Sequence, residues 1–457
     1  MAVAEFGEQD EVEEAEEIVA RVAAIDVAKA SGMVCTRVPH DTKAGRRLTR
    51  TWQVGAATRS IIELADHLAC QGIQRVVVES TSDYWRPFFY LLEARGLDIW
   101  LVNARDVKNV PGRPKTDKLD AVWLAKLTER GMLRPSFVPP REIRRLRDYT
   151  RMRLDLTEER SRHKQRMEKL LEDALIKLSS VATDIFGVSG RQMIEALIGG
   201  ERDPYVLAEM AHARMRPKRP ALIQALTGEF DDHHAELAQM ILDQVDVLTR
   251  QIDRLTARIE ELITAIPAAQ PPAITDADPG DGDQPTSGQD RAAVPLPALD
   301  RLDEVPGIGR RAAQIILAEI GLDMTRFPTA GHLVSWAKLC PATIQSGAKK
   351  KNGKTGHGDR YLKGVLGEVA TAAAKTQTFL GERYRRLIKR MPKSKAMVAL
   401  ARSILTIIWH LLADPASRYI DLGVDFHTRR LDTGRKTRDH IRGLQALGYT
   451  VTLQPAA

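Results

Sequence analysis

Between Pro267 and Pro297 the chain carries seven prolines, three glycines and five aspartates, with almost no large apolar side chain. Such a stretch cannot bury enough surface to offset the entropy of ordering itself. Residues 267–298 therefore read as a flexible linker, and the chain on either side has to fold around cores of its own. It has the means to do so. At about 100–200 residues per domain, the 457 residues suggest two to four domains, and 43% hydrophobic content is ample for their cores.

Lys and Arg number 68 against 60 Asp and Glu, leaving a net charge of +8. Eight acids and no base fall between Glu5 and Glu17, so the remainder is more basic than the sum suggests, and nucleic acid is the leading class of partner. The segment 1–19 reads as an acidic, disordered tail. Cys35, Cys70 and Cys340 are too scattered for paired metal-ligand spacing or a disulfide framework, which fits a reducing cytoplasm. The N-terminus lacks the basic and apolar pattern of a secretory signal. The most apolar late stretch, Ser403 to Ala413, is too short to span a bilayer, so a soluble, cytoplasmic protein with no membrane partner is expected.

From Ile18 to Val38 β-branched and small residues alternate around a central turn, predicting a strand pair with Asp26 in its first strand. The apolar runs Gln74 to Glu79 and Asp98 to Asn103 each follow a helix-like segment, containing Leu64 and Leu68 or Phe88 and Leu92. That alternation predicts an α/β domain over 20–140. Arg141 to Lys169 then holds eleven bases against six acids on a helix-forming composition. A second long helix is marked by Ile241, Val245, Leu248, Ile252, Leu255, Ile259, Leu262 and Ile266, alternately four and three apart. Its partner is the first long helix, antiparallel, or the same helix of another subunit; an ordinary core helix is the plainer alternative. Residues 141–266 thus read as a helical coiled-coil region. Helices are expected over Leu302–Gly321, Tyr361–Lys375, Phe379–Lys389 and Lys395–Leu412, within a mainly α domain spanning 299–415. A basic tail of open fold, 416–457, follows.

Four acids stand where an α/β sheet exposes chemistry. Asp26 lies on the first strand, Glu79 closes RVVVE, and Asp117 and Asp120 are three apart at a helix start, on one helical face. Hard oxygen ligands gathered in this way suit Mg²⁺ or Mn²⁺. Two such ions would activate an attacking group and stabilise the leaving oxygen of a phosphodiester. Lys115 and Lys118, flanking Asp117, are placed to meet a substrate backbone. By spacing alone the same acids also read as solvated surface groups among sixty; their strand context favours a site.

Further on, Pro306-Gly307-Ile308-Gly309 predicts a tight turn between helices, similar to a helix-hairpin-helix, whose backbone N–H groups hold a DNA phosphate with Arg310 and Arg311 beside it. A merely structural turn is the alternative. After Trp336 comes a glycine-rich, strongly basic loop in which Ser346 precedes Gly347 and is followed by Lys349, Lys350 and Lys351. A serine hydroxyl attacks phosphorus only when a base or metal and nearby cations support it, and taken alone Ser346 also reads as a turn former.

The order IDVAK, then VVVESTSDYWRPFFYLLEARGLDIWLVNARDVKNV, then KTDKLDAVWLAKL resembles the DEDD domain of IS110-family transposases over about Ala20 to Pro140. PGIG, LAEIG, QSG with its basic loop, and GDRYLKGVL resemble the second domain of the same family over about Leu299 to Lys375. Ser82-Asp83-Tyr84 stands where the family often has Gly-Tyr, and Gly358-Asp359 where it has Gly-Asn.

The resemblance implies a RuvC-like, ribonuclease H-like N-terminal fold with Asp26, Glu79, Asp117 and Asp120 as metal ligands. It also implies Ser346 as the nucleophile of a covalent serine–DNA intermediate, phosphate contacts at Arg360 and Lys363, and an element-encoded guide RNA pairing with DNA. The acids and the serine meet within one chain or between chains, in which case the heptads suggest a homo-oligomer, dimer or tetramer. Two rivals remain open: a metal-dependent junction nuclease that does not use Ser346, and a non-catalytic nucleic-acid-binding protein.

Overall fold

A computed structural model of the chain describes residues 19–40, 42, 46–103, 117–271, 296–341, 343–346, 349–353, 355–429 and 433–454. The acidic segment Glu5–Glu17 and most of the Pro/Asp-rich stretch lie outside these residues. The chain forms two compact units, Met1–Val138 and Pro139–Ala457.

The first unit is built on a five-stranded mixed sheet in the order β3-β2-β1-β4-β5. β1 (Val22–Val27) pairs antiparallel with β2 (Ser31–Pro39), which pairs antiparallel with β3 (Arg47–Gly55). On its other side β1 runs parallel to β4 (Arg75–Ser80), and β4 runs parallel to β5 (Ile99–Asn103). β1 is central and covered on both faces, so VAAIDV is apolar almost throughout instead of alternating. Ile25, Val76 and Val78 pack under α1 (Thr58–Cys70) and α2 (Trp85–Ala94), through Ile61, Leu68, Phe88 and Leu92. Val22, Ala24, Val77 and Val102 pack on the other face under α3 (Asp117–Glu129), through Ala121, Leu124 and Ala125.

The far end of α3 is clamped. Glu129 accepts hydrogen bonds from Arg37 Nε and Arg47 Nε, each at 2.7 Å, from β2 and β3. Burial works against its ionisation, but the two guanidinium hydrogen bonds outweigh that and hold its carboxyl below the ordinary range.

The second unit begins with α4 (Arg141–Asp173), which runs antiparallel to α9 (Asp232–Thr264). Their order is fixed by Arg160, which donates to Thr249 Oγ1 at 3.2 Å, and by Met167 and Leu171 sharing a core with Ala238 and Leu242. α9 buries Leu242, Val245, Leu248, Ile252, Ile259 and Ile263, so the apolar stripe read from its heptads is used within the chain. A reciprocal Asp231–His234 capping box starts this helix.

Between the long helices, α5 (Leu178–Val181), α6 (Val188–Ile198), α7 (Pro204–Glu209) and α8 (Arg219–Leu226) enclose a compact core around Ile185, Met193, Leu207 and Leu222. The C-terminal part holds α10 (Ala298–Asp303), α11 (Arg310–Ile320), α12 (Ala330–Trp336), a hairpin of β6 (Thr343–Ser346) and β7 (Lys349–Asn352), α13 (Arg360–Ala374), α14 (Phe379–Ile388), α15 (Lys393–Ala413), α16 (Phe426–Arg429) and α17 (Thr433–Ala446).

Two expectations change here. The segment read as a glycine-rich loop contains a two-stranded antiparallel ladder. The apolar stretch ending at Ala413 belongs to a 21-residue helix which, among the described helices, is the one long and apolar enough to cross a membrane. The sequence reading placed a helix over Lys395–Leu412 but weighed only its stretch from Ser403 against the width of a bilayer. Leu400, Ile404, Leu405 and Ile408 of that helix are fully buried, as in a core helix.

Candidate functional site

In the first unit the register pairs Ala24 with Val77 and Ile25 with Val78. Asp26 and Glu79 are the next residues along, at the C-terminal ends of neighbouring parallel strands. Side chains alternate along a strand, so Asp26 shares a face with Val22 and Ala24, and Glu79 with Val77. That is the face covered by α3. Glu79 is only 4% exposed, and Asp26 is half-buried. α3 opens at Asp117 and presents Asp120, half-buried, one residue before the fully buried Ala121.

The sheet and its covering helix thus bring the backbone positions of all four acids to one side. Lys118 is exposed; Lys115 and the side chain of Asp117 lie outside the described residues. Among the described residues no three His, Cys, Asp or Glu side chains gather closely enough to hold a metal. The expected set includes Asp117, so its full geometry is not described. The donors themselves, carboxylates only, are of the kind that hard divalent cations take.

In the second unit Ser346 is the last residue of β6 and pairs with Lys349, while Gln345 pairs with Lys350 and Ile344 with Lys351. Gly347 and Ala348, which join the strands, lie outside the described residues, as do the side chains of Ser346 and the three lysines. Two short runs separated by a Gly-X pair are a hairpin signal, which the reading as a loop passed over.

The turn before α11 separates its two glycines sharply. Gly307 has φ +94°, and a Cβ there would sit 2.5 Å from Val369 O and 2.9 Å from Ala373 N of α13. It is the residue that lets the turn lie against α13. Gly309 caps α11, and a Cβ there would meet nothing within 4 Å. Arg310 is occupied: its Nε and NH2 bond the two carboxylate oxygens of Glu260 at 2.9 and 2.6 Å, tying α11 to α9. Arg360 pairs with Asp155 at 2.8 Å, and Lys363 Nζ donates to Gly356 O at 2.9 Å. Arg311 is exposed and joins no ion pair among the described residues.

Sequence motifs gave no sign of the cavity that these residues surround. It measures about 560 Å³ and is bordered by Gly309, Arg310, Arg311 and Arg360, together with Leu154, Ile315, Tyr361, Gly364 and Val365. Four residues expected to bind nucleic acid therefore meet at one place, while Gly307 lies against α13.

Behind the cavity lies a buried ionic clamp. Glu319, 1% exposed, receives both Nε and NH2 of Arg151 at 2.8 Å and Arg147 Nε at 3.2 Å. Arg151 reaches on to Asp359, the N-cap of α13, at 2.9 Å.

Comparison with known proteins yields two family matches. Residues 23–176 match a transposase family of the IS110 DEDD type, and residues 299–385 match the family described as "Transposase IS116/IS110/IS902 family". An uncharacterized protein of insertion element IS110 from Streptomyces coelicolor is 26% identical over 314 residues, covering 66% of this chain and 72% of the relative. Among solved structures, T. thermophilus RuvC in complex with Holliday junction substrate aligns with 26% of this chain and 99% of its own, at 12% identity and a TM-score of 0.19. At that score the fold description rests on the sheet itself.

Proposed function

This chain belongs to the IS116/IS110/IS902 family of transposases, and from that premise we propose that it cuts and rejoins DNA strands through a covalent intermediate on Ser346. In the proposed reaction Asp26, Glu79, Asp117 and Asp120 would hold Mg²⁺ or Mn²⁺. The observation that carries this reading is the parity of the sheet: two acids on adjacent strand ends share the face that α3 covers, and α3 begins at Asp117 and carries the half-buried Asp120. The all-carboxylate set fits a hard cation, which when bound supplies charge neutralisation at the phosphate and a lowered pKa for an attacking oxygen.

The chain's own part is a transesterification. Ser346 Oγ bonds to phosphorus, the strand's P–O bond breaks, and the departing sugar oxygen takes up a proton. A hydroxyl of another strand then attacks the serine phosphodiester and restores the Ser346 hydroxyl. The number of phosphodiesters is unchanged, so no nucleotide hydrolysis is needed, and the sequence contains no G-x-x-x-x-G-K-[ST] loop. Lys349, Lys350 and Lys351, paired along β7 against β6, offset phosphate charge. The basic face of α4 and the C-terminal segment supply surfaces for an element-encoded guide RNA, with base pairing choosing the sequence. A homo-oligomer would use what α9 leaves exposed, Leu237, Met240 and Val247.

The test is a denaturing gel of the protein incubated with element-end DNA, flanking RNA and Mg²⁺. A protein–DNA adduct that disappears in Ser346→Ala and in Glu79→Gln is expected. Cleavage that persists without an adduct in Ser346→Ala would replace the serine reaction with water attack at the acids, and a chain that binds DNA but never cuts it would be a binding protein.

A further inference from the structure

Helices α4, α11 and α13 leave between them the half-open cavity of about 560 Å³, a volume within the roughly 300–1,000 Å³ of small-molecule sites. Its walls are Leu154, Ile315 and Val365, one from each helix. Gly364 sits in the interior of α13, where glycine weakens a helix relative to alanine, yet a Cβ there would meet nothing within 4 Å. Packing does not explain the missing side chain. Gly364 borders the cavity instead.

The rim is polar and mixed in sign. Arg311 stands exposed beside Gly309, the N-cap of α11, while Arg310 and Arg360 are held at the edge by Glu260 and Asp155. Glu158 and Glu368 also border the opening. The ring of Tyr361 is packed by the guanidinium groups of Arg151 and Arg360, 4.6 and 4.5 Å from its centroid, which fixes that wall.

An apolar slot with a cation at its mouth and carboxylates beside it is complementary to a nucleotide: an apolar ring, an anionic phosphate and an exocyclic amino group. Resting on the transposase reading, we propose that this cavity takes one unstacked nucleobase of a bound strand. The flanking phosphate lies at Arg311, and the amino edge of the base donates to Glu158 or Glu368. Phosphate contacts alone would register the backbone without sensing its conformation. A base-sized slot beside them reads a strand that is bulged, nicked or being exchanged. DNA and RNA offer the same chemistry here, and the experiment separates them.

The test uses the full chain with 2-aminopurine, whose fluorescence rises on unstacking and which carries an amino group, placed in a one-nucleotide bulge of a DNA duplex and of an RNA duplex. Fully paired duplexes serve as references. Wild type is expected to bind the bulged form roughly tenfold more tightly than the paired one, as burial of one base against apolar walls allows, with brighter fluorescence. Whichever of the two duplexes shows this identifies the strand.

Gly364→Leu fills the slot and should remove that preference and the fluorescence change while leaving paired-duplex affinity within about twofold and the melting temperature no lower. Gly364→Ala gives a partial loss should leucine disturb α13, and Arg311→Ala weakens bulge binding independently of packing. Equal affinity of wild type for bulged and paired duplexes overturns the proposal, as does a folded Gly364→Leu protein that keeps the preference. A Gly364→Leu effect on self-association with no effect on the bulge overturns it too, since the slot would then take a protein side chain. Failure to bind any nucleic acid would remove the transposase reading as well, so the two failures are distinguishable.

Discussion

Gly307 and Gly309 stand two residues apart in one turn, and the structure gives them opposite tolerances. Replacing Gly307 with alanine incurs two separate costs. The backbone at φ +94° is left-handed, which disfavours an L side chain by about 1–2 kcal/mol. The new Cβ would also lie 2.5 Å from Val369 O and 2.9 Å from Ala373 N, both backbone atoms of α13 that cannot swing aside, and overpacking of this kind costs about 1–3 kcal/mol. The expected destabilisation is therefore about 2–5 kcal/mol.

Gly309→Ala keeps an extended backbone, φ −106° and ψ 171°, meets nothing, and loses only the preference for glycine over alanine at an N-cap, under about 1 kcal/mol. Because a chain of two units need not unfold in one step, the assay is amide hydrogen exchange across α11 and α13, read beside urea melts. Gly307→Ala should speed exchange in both helices and lower the melt; Gly309→Ala should do neither to a comparable degree. Similar effects from the two substitutions would refute the claim that the turn's close approach to α13 is what fixes Gly307.

Removing Glu319 with alanine leaves Arg147 and Arg151 partly buried without their carboxylate, and since they are 17% and 30% exposed the loss should be about 2–4 kcal/mol, somewhat under a fully buried pair. Arg59→Ala, whose partner Glu63 is also open to solvent, should change a urea midpoint by less than about 0.5 kcal/mol equivalent. The Glu260 carboxyl is held below its ordinary value of 4.5, chiefly by the hydrogen bond from Arg310 against the opposing effect of burial. Its contribution is therefore complete above that value and lost as pH falls through the lower folded one. Melting temperature in Glu260→Gln should accordingly start lower and fall less steeply below about pH 4.5 than in wild type; parallel curves would contradict this. Burial pushes the Cys35 thiol up to about 11, whereas Cys70 is exposed, so iodoacetamide at about pH 8 should label Cys70 in the native chain and Cys35 only after denaturant.

What could be read from residues alone followed where burial imposes a pattern. β1, β4 and β5 are covered strands, and their apolar runs were visible, as was the antiparallel turn into β2. β3 was not: RLTRTWQVG is an edge strand whose outer face meets water, and its polar residues carry no signal of that kind. The bundle of α5 to α8 escaped because helices of 4 to 11 residues are too short to show a periodic stripe. The long helices were legible, and so was their antiparallel option. The acids and the glycine turn could be picked out by motif. The cavity could not, because Leu154, Ile315 and Gly364 come from three helices far apart in sequence, and no spacing rule connects them. Arg310 shows the complementary limit: a motif marks it as cationic, but only the fold reveals that Glu260 has claimed it.

The antiparallel pair of α4 and α9 has a mechanical consequence. Each helix is 33 residues, about 50 Å at 1.5 Å per residue. One end is bolted by Arg147 and Arg151 to Glu319 and by Glu260 to Arg310, and the other carries the core around Met193 and Leu207. A braced rod of that length is a lever, and a rotation of about 5° at the bolted end sweeps the far end through about 4 Å. In the other direction, a load on the distal bundle arrives as torque at the bolts, which stand beside the walls of the cavity. The arm joins the distal bundle to that pocket by stiffness alone.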